Sequence, residues 1–465
     1  MLKTIAKRLA SIVPMMRPMQ MGTWSYATLR GRHGPPAALA LLDQLVVGGA
    51  NFVTILLLGR LAGPHALGVY ALVMTVFYLL LAVQEALITI PYTIFGARLS
   101  GIRHRQYSGS ALCQSAGWSA CVASILALIA TYFGFASRDA ELARVVGVFS
   151  IVAPLWLLRE FGRRYLFARM QLTKVLAMSV AGASAQLTTL CLFAYADRLS
   201  PATALCAMGV GSGAAGIGWL WLSRRSFQLK HARFSYFVRK NWVLGRWVLA
   251  SQGTSVIAAN MMPWLIVLWL GPAATGIFAA CDAILRFANP IIIALTNVLT
   301  PRVAIGFKHG GEAELRRIIR KATILLGLFL FAFCLFLAIA GELVLQQSFG
   351  DDYAGYWATL LVLAINQLVA KLALAPGRAL LVLERANIIL RAEAAGFATS
   401  LAAATMLIPL YGVLGAAFSL LAGSLAITVV TVGVYLAVMR DGGGEGLLMM
   451  GPPTATPAPA GGHSE

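Results

Sequence analysis

Long apolar segments recur along almost the whole of this 465-residue chain. A helix needs about 20 apolar residues to cross the hydrocarbon core of a bilayer, and we count twelve segments of this kind. Hydrophobic residues make up 59% of the sequence and charged residues only 12%, which is far from the balance of a soluble globular protein. Because lipid offers no hydrogen bonds to an open backbone, each segment is expected to be helical. The sequence therefore predicts an all-α polytopic membrane protein with twelve transmembrane helices.

The twelve predicted helices form two sets of six. They are expected at 37–59, 66–96, 108–135, 143–168, 172–196, 201–222, 247–270, 274–299, 318–345, 354–378, 386–409 and 412–438. The first six define an N-terminal bundle, residues 37–222, and the last six a C-terminal bundle, residues 247–438. Residues 1–36 are predicted to be a basic cytoplasmic arm, and residues 223–246 a basic cytoplasmic linker. Residues 439–465, rich in glycine and proline, are predicted to be a disordered cytoplasmic tail.

A short motif occurs once near the start of each set, which suggests an internal duplication. Proline and glycine together favour a tight hairpin between two helices that pack closely. Six helices is an even number, so the second set would enter the membrane in the same orientation as the first. The sequence thus predicts two parallel six-helix bundles with a cavity between them, an architecture that suits alternating access. The motif residues Gly63, Pro64 and Gly68 recur as Gly271, Pro272 and Gly276.

Basic residues are distributed unevenly between the predicted connections. If the N-terminus is cytoplasmic, the even-numbered connections hold most of the arginines and lysines, and the odd-numbered ones hold most of the acids. The positive-inside rule then places both termini in the cytoplasm of a bacterial inner-membrane protein. The net charge of +20 is explained by this topology, so we expect no nucleic-acid partner. The histidines do not cluster, and no metal or cofactor is expected.

Five ionisable side chains stand out at the depth of the bilayer: Asp43, Glu85, Asp282, Arg286 and Lys371. A charge at the centre of a transmembrane helix costs about 2.5–3.5 kcal/mol unless it is paired or hydrated. Asp43 lies near a helix end, where it is either a solvated carboxylate or a functional group. Asp282 and Arg286 are four residues apart and can form an ion pair on one helix face. Lys371 either pairs with an acid on another helix or binds a ligand.

Two segments carry a family resemblance. The first runs from Asp43 to Ala71, with Asn51 and Phe52 within it and Gly-Arg-Leu-Ala-Gly-Pro-His-Ala-Leu-Gly-Val-Tyr-Ala at its end. It resembles the opening helix and hairpin of the Wzx-type polysaccharide biosynthesis flippases, which belong to the multidrug/oligosaccharidyl-lipid/polysaccharide exporter superfamily. The second segment, residues 408–417, is similar to the turn between the last two helices of that family. The resemblance covers roughly residues 37–438.

The resemblance implies a substrate and roles for the membrane-embedded polar residues. The substrate would be an undecaprenyl-pyrophosphate-linked oligosaccharide, moved to the periplasmic leaflet for exopolysaccharide, capsule or O-antigen assembly. Membrane lipid, a polysaccharide polymerase and export machinery would be its partners. Positive charge is needed to carry a pyrophosphate through a low-dielectric slab. The expected substrate-binding residues are Arg286, Lys371, Gln367 and Asn366, and the expected ion-coupling residues are Glu85, Asp282 and Asp43.

Two other functions remain open at this point. A cation-coupled drug antiporter of the same superfamily would have a cavity dominated by carboxylates and aromatic rings. Its two cationic side chains would be neutralised in ion pairs. A membrane enzyme, such as a polysaccharide polymerase or ligase, usually needs a large periplasmic loop, and no predicted loop here is large. The sequence therefore favours a transporter over an enzyme.

Overall fold

The computed structural model describes residues 34–135, 140–229, 231–383 and 385–440. The predicted tail from 441 onward and all but the last three residues of the predicted arm lie outside these ranges. Within them, every regular element is a helix. The α-helices are α1 (Gly34–Gln84), α2 (Ile90–Gly96), α3 (Gly101–Phe135), α4 (Ala140–Ala168), α5 (Leu172–Tyr195), α6 (Pro201–Ser223), α7 (His231–Leu270), α8 (Pro272–Leu285), α9 (Asn289–Phe349), α10 (Trp357–Leu372), α11 (Leu374–Val382) and α12 (Ala386–Arg440).

Short irregular turns join several of these helices. A π-turn, Glu85–Thr89, links α1 to α2, and a 3-10 turn, Arg286–Ala288, links α8 to α9. Two more 3-10 turns, Arg224–Ser226 and Asp351–Tyr353, follow α6 and α9. The chain therefore passes from helix to helix with few extended residues in the ranges described.

Nine helices in the described ranges are long and apolar enough to cross a membrane, or ten if the bent helix α7 counts as one span. Three of the long helices contain a glycine with non-helical backbone angles: Gly63 in α1, Gly311 in α9 and Gly412 in α12. Many large apolar side chains point away from the protein, including Leu128, Ile151 and Ile339. Exposed apolar surface on this scale requires a lipid environment.

The two hairpins predicted from the repeated motif have the same backbone geometry. Gly63 has φ 80° and ψ 178°, and Gly271 has φ 84° and ψ 179°. This region of φ and ψ is open essentially to glycine alone, and the proline that follows each glycine opens the next helix. The sequence match between the two sites thus corresponds to a structural match.

The two halves of the chain touch through these same hairpins. A Cβ atom added to Gly68 would overlap the carbonyl oxygen of Pro272, and one added to Gly276 would overlap that of Pro64. The two close approaches are reciprocal, as expected for related elements that meet across a pseudo-twofold axis. We call the end of the molecule that holds Gly63 and Gly271 the hairpin end.

Further contacts join the halves at the hairpin end. The Arg60 guanidinium donates to the carbonyl oxygen of Gln347 at 2.5 Å, and the Tyr353 hydroxyl donates to that of Gly59 at 3.3 Å. Deeper in the molecule, the Trp264 indole N–H donates to the Thr75 hydroxyl at 2.8 Å. The structure is therefore tightly closed at the hairpin end.

The predicted linker 223–246 contains more helix than expected. Helix α7 begins at His231 and bends by 49° between Ala250 and Ser255. Its first part packs on the N-terminal half, since a Cβ atom on Gly245 would lie 2.8 Å from the carbonyl oxygen of Ala86. Part of the basic connection is therefore a structural element that rests against the N-terminal half.

Candidate functional site

Helix α4 carries a buried charged cluster, which we call the α4 cluster, made of Arg159, Glu160 and Arg163 together with Asp43 of α1. Arg163 donates to the Asp43 carboxylate at 2.6 Å and to the Glu160 carboxylate at 3.1 Å. Arg159 lies 3.8 Å from Glu160. Asp43 is only 1% exposed. The alternative that Asp43 is a solvated carboxylate is therefore wrong, because an arginine from another helix has replaced water around it.

The α4 cluster is balanced in charge, with two acids and two bases. Breaking a buried pair typically costs about 3–5 kcal/mol, because the remaining charge is left without compensation. Three buried atoms nonetheless have no hydrogen-bond partner among the described residues: Asp43 Oδ1, Arg159 Nε and Arg163 Nε. The charges of the α4 cluster are thus paired, while three of its polar atoms can still form hydrogen bonds.

Glu85 pairs with Arg164, the residue next to Arg163. The carboxylate opens the π-turn Glu85–Thr89, in which the N–H of Ile90 reaches back to the carbonyl oxygen of Glu85. Turns of this kind inside helices are frequent at functional sites. Glu85 is thus a charged residue at a local widening of the helix, with half-exposed Arg164 as its partner.

Asp282 and Arg286 form the ion pair that their spacing predicts. The carboxylate oxygen Oδ2 of Asp282 accepts from Arg286 Nη2 at 2.7 Å and from Arg286 Nε at 2.8 Å. The Arg286 side chain is 57% exposed and that of Asp282 41%, so the pair lies on an open surface. The structure shows this pair formed, which leaves Arg286 available to a ligand only through its remaining donors or by release from Asp282.

Tyr78 connects the two groups of charges. Its electrostatic neighbours are Arg286, Asp282 and Glu160. Nearby, the rings of Phe52 and Phe287 pack edge to face with centroids 4.4 Å apart. The Asp282–Arg286 pair therefore faces the N-terminal half, close to the α4 cluster.

Lys371 lies on α10 in the C-terminal half, one turn after Gln367. Within the described part of the chain no acid lies within ion-pair distance of its ammonium group. Asn366 Oδ1 and Gln367 Nε2 are buried and have no hydrogen-bond partner there. Such unpaired polar groups are costly in a folded protein. The three side chains together offer donors, an acceptor and one uncompensated positive charge.

Three of the predicted site residues, Glu85, Arg286 and Lys371, lie close to a proline that interrupts regular helix geometry. Proline removes a backbone donor and clashes with the carbonyl four residues earlier. Glu85 opens the π-turn, and Pro91 lies in the helix α2 that follows. Arg286 opens a 3-10 turn before Pro290 of α9. Lys371 lies near the end of α10, before Pro376 of α11. The charged side chains therefore lie at places where the helices can bend.

The α4 cluster was only partly foreseen from the sequence. Arg159, Arg163 and Arg164 fall within the predicted helix 143–168, as they do in α4, but none of them was among the expected site residues. The local signal was Glu160, an acid between these arginines at spacings that allow ion pairs on a helix. The contact to Asp43 had no local signal, since 120 positions separate it from Arg163.

The fold is that of the MATE transporters of the MOP superfamily. A multidrug resistance MATE family transporter in an inward-facing conformation matches with a TM-score of 0.70 at 13% identity, covering 87% of this chain and 98% of that one. A variant of the Vibrio cholerae MATE transporter VcmN matches with a TM-score of 0.59 at 15% identity, over 88% and 96% of the two chains. No curated protein gives a significant match to this sequence.

A third solved structure belongs to a MOP superfamily transporter from Pyrococcus furiosus, whose description reports a binding pocket of reverse polarity and suggests a different function for that protein. It matches with a TM-score of 0.56 at 14% identity, over 88% of this chain and 96% of that one. The fold is thus one that polytopic membrane transporters of the MOP superfamily adopt.

The particular family follows from the sequence itself. The profile of the polysaccharide biosynthesis protein family matches residues 57–358, which is more than half of the chain. The chain belongs to this family, and the expected resemblance to the Wzx-type flippases is confirmed. Family and fold both describe transporters and not enzymes.

Proposed function

We propose that this protein is a flippase for undecaprenyl-pyrophosphate-linked oligosaccharide. It moves this lipid from the cytoplasmic to the periplasmic leaflet of a bacterial inner membrane by alternating access. The product would serve exopolysaccharide, capsule or O-antigen assembly, with a polysaccharide polymerase and export machinery as partners. Membership of the polysaccharide biosynthesis protein family supports the class of substrate, and the transporter fold supports movement across the membrane.

The observation that carries the proposal is the uncompensated charge of Lys371. The bases of the α4 cluster have acids beside them, and Arg286 has Asp282. Lys371 instead has the unpaired amide nitrogen of Gln367 on the same helix face. A site with a free ammonium group and free amide groups suits a phosphate bearing sugars, because the cation meets the charge and the amides meet the hydroxyls.

In this proposal the remaining predicted residues act in turnover. Lys371 and Gln367 Nε2 donate to pyrophosphate oxygens, Asn366 Oδ1 accepts from a sugar hydroxyl, and Arg286 adds charge when it leaves Asp282. The freed Asp282 carboxylate, with Glu85 and Asp43, then exchanges a coupling ion. Binding of an anion thereby changes the ion pairs at helix bends, which is a route from substrate to conformational change.

The proposal also includes the number of transmembrane spans, which is twelve. Counting the breaks at Gly63 and Gly412 as ends of spans, and the bent helix α7 as one span, raises nine helices to the twelve predicted. The spans would form two parallel six-helix bundles, with both termini in the cytoplasm.

The test is a flipping assay in proteoliposomes that contain a lipid-linked oligosaccharide with a terminal sugar open to a membrane-impermeant glycosidase. Removal of one charge-assisted hydrogen bond weakens binding by about 10- to 100-fold, so Lys371→Ala should lower flipping at limiting substrate by that factor. Lys371→Arg should retain part of the activity, because the charge survives. Exposed Lys321 provides the matched control, and Lys321→Ala should flip at the normal rate. Normal flipping by Lys371→Ala would contradict the assignment.

A cation-coupled small-molecule antiporter is the second candidate. The solved structures with this fold include multidrug resistance transporters, which is the observation in its favour. Drug efflux driven by a proton or sodium gradient in the same proteoliposomes, with no flipping of lipid-linked sugar, would establish the antiporter and exclude the flippase.

A further inference from the structure

Two neighbouring clefts border the first part of α7, and none of the candidate site residues described above lines either of them. The first, of about 310 Å³, lies between the end of α2, the start of α3 and the start of α7. The second, of about 390 Å³, lies along the same helices α3 and α7 but borders α1 and the π-turn. Since α1 and α2 run from the hairpin at Gly63 to Gly96, both clefts lie towards the end of the molecule opposite the hairpin end.

The first cleft combines positive charge with aromatic walls. Three of its lining residues are basic, Arg103, Arg233 and Lys240, and no acid lines it. The Lys240 ammonium lies 4.3 Å from the ring centroid of Phe95, and Arg233 donates to the side-chain oxygen of Gln106 at 3.3 Å. Arg103 is exposed and has no charged partner in the described ranges. Within the described ranges none of the three cations has an acidic partner, so the cleft is complementary to an anion.

The second cleft is almost wholly apolar. Its walls include Trp118, Trp242, Phe234 and Val238, and Gln114 is the polar residue among its lining side chains. Gln114 accepts from Asn241, and Asn241 accepts from the buried Tyr107 hydroxyl, which itself borders the first cleft. Tyr107 and Gln114 are two helical turns apart on α3. A chain of hydrogen bonds therefore fixes the wall that the two clefts share.

We propose that the two clefts form one binding site for an anionic phospholipid of the surrounding leaflet. The phosphate of the head group lies among Arg103, Arg233 and Lys240, and an acyl chain occupies the apolar cleft beside Trp118 and Trp242. Basic pockets between transmembrane helices recognise anionic head groups, and tryptophan is favoured where head group and chain meet. This site does not depend on the proposed flipping of lipid-linked sugar.

The site would hold α7 against the N-terminal half. Helix α7 leads into the C-terminal half, and its first part already packs on Ala86 and Leu87 through Gly245. A lipid that contacts both α3 and α7 adds to this packing from the membrane side. The bound phospholipid is thus a structural ligand of the connection between the halves.

The test is native mass spectrometry of the delipidated full-length protein, titrated with dioleoylphosphatidylglycerol. Each cation near an anionic membrane contributes about fivefold to binding, so Arg103→Gln with Lys240→Gln should bind this lipid about 25-fold more weakly. The matched control is Arg105→Gln with Arg239→Gln, which removes two exposed charges from the same helices outside the clefts. The control should bind within about twofold of the unaltered protein. Equal losses in the two double variants would overturn the site.

Three further arms identify the ligand. Dioleoylphosphatidylcholine should bind weakly, and equal binding would refute recognition of an anionic head group. Inorganic phosphate should not displace the lipid, and displacement at millimolar concentration would show a phosphate site without a lipid. Gly117→Trp should fill the apolar cleft and weaken lipid binding without disturbing the fold, since nothing lies within 4 Å of a Cβ atom there. Undiminished binding by this variant would refute the place assigned to the acyl chain.

Discussion

The charged residues within the helices of this transporter differ mainly in the chemical groups of their neighbours. Arg163 has two carboxylates within ion-pair distance, whereas Lys371 has unpaired amide groups. A buried ion pair contributes little net stability, but removal of one partner is strongly destabilising. We therefore expect Arg163 to matter chiefly for folding and Lys371 chiefly for transport, although both are cations at membrane depth.

The Asp282–Arg286 pair allows a direct test of whether Arg286 does more than neutralise its neighbour. If Arg286 binds the substrate pyrophosphate, Arg286→Ala should abolish polymer export while the protein still inserts, and Arg286→Lys should retain part of it without the bidentate fork. The double variant, with Asp282→Ala and Arg286→Ala, should then remain inactive. The readout is polymer export in cells, with membrane insertion checked by immunoblot of the membrane fraction.

The opposite outcome of that double-mutant cycle has a clear meaning. Recovery of export in the double variant, after loss in either single one, would show that Arg286 only compensates Asp282. The pair would then be structural, and the pyrophosphate site would consist of Lys371 and the amide groups near it.

The same residues show how far side-chain placement can be predicted from sequence. The Asp282–Arg286 pair follows from a spacing of four on one helix, and the structure has it. The contact between Asp43 and Arg163 was not predicted, because helical periodicity says which residues share a face but not which faces meet. Contacts between distant helices depend on packing, and that packing depends on many side chains at once.

Among the structural elements, the two Gly-Pro hairpins are the most closely related. They share sequence, backbone angles and a reciprocal contact, in which the carbonyl oxygen of Pro272 packs against Gly68 and that of Pro64 packs against Gly276. Small residues at helix interfaces in membranes allow the backbones to approach closely. The hairpins therefore form the seal between the halves at the hairpin end.

A side chain at Gly68 should open this seal. Overpacking of a close interface typically costs about 1–3 kcal/mol, so Gly68→Val should destabilise the closed arrangement and favour separation of the hairpins. Hydrogen exchange measured by mass spectrometry should become faster in residues 59–72 and 268–280. Gly49→Ala is the control, since nothing lies within 4 Å of a Cβ atom at that position of α1. Unchanged exchange in Gly68→Val would mean that the hairpins do not form the seal.

Element boundaries were predicted better at hairpins than at charged segments. Glycine and proline mark the turns after α7 and within α1, and the structure has turns at both. The linker 223–246 was predicted from its charge alone, yet α7 begins at His231. Basic residues show which side of a membrane a segment prefers, but they are compatible with helix, so charge does not indicate where a helix starts.

For the whole molecule, the orientation of the chain in the membrane is the prediction that can be tested most directly. The distribution of basic residues predicts both termini in the cytoplasm. A reporter enzyme active only in the periplasm should therefore be active when fused at Gly350 and inactive when fused after Arg440. A reporter active only in the cytoplasm should give the opposite pattern. Periplasmic activity after Arg440, or cytoplasmic activity at Gly350, would contradict the topology.

The class of fold could be predicted from the sequence because a bilayer allows very few backbone structures to cross it. An apolar segment long enough to span the bilayer must satisfy its own backbone hydrogen bonds, and a helix does so. Every regular element in the described ranges is a helix. The relative placement of the halves was not predictable in the same way. It rests on close contacts such as Gly68 with Pro272, which a hydropathy pattern does not contain.

The pairing of Asp43 with Arg163 also constrains the order in which the protein can be assembled. The two residues are 120 positions apart, and synthesis at about 5–20 residues per second separates their appearance by roughly 6–24 s. Throughout that interval the first helix carries an acid whose partner has not yet been made. Until then Asp43 is expected to stay at the lipid head groups or inside the insertion machinery, because an unpaired carboxylate in hydrocarbon is costly. Helix α1 is thus synthesised before α4 but cannot reach its final contacts until α4 has been made.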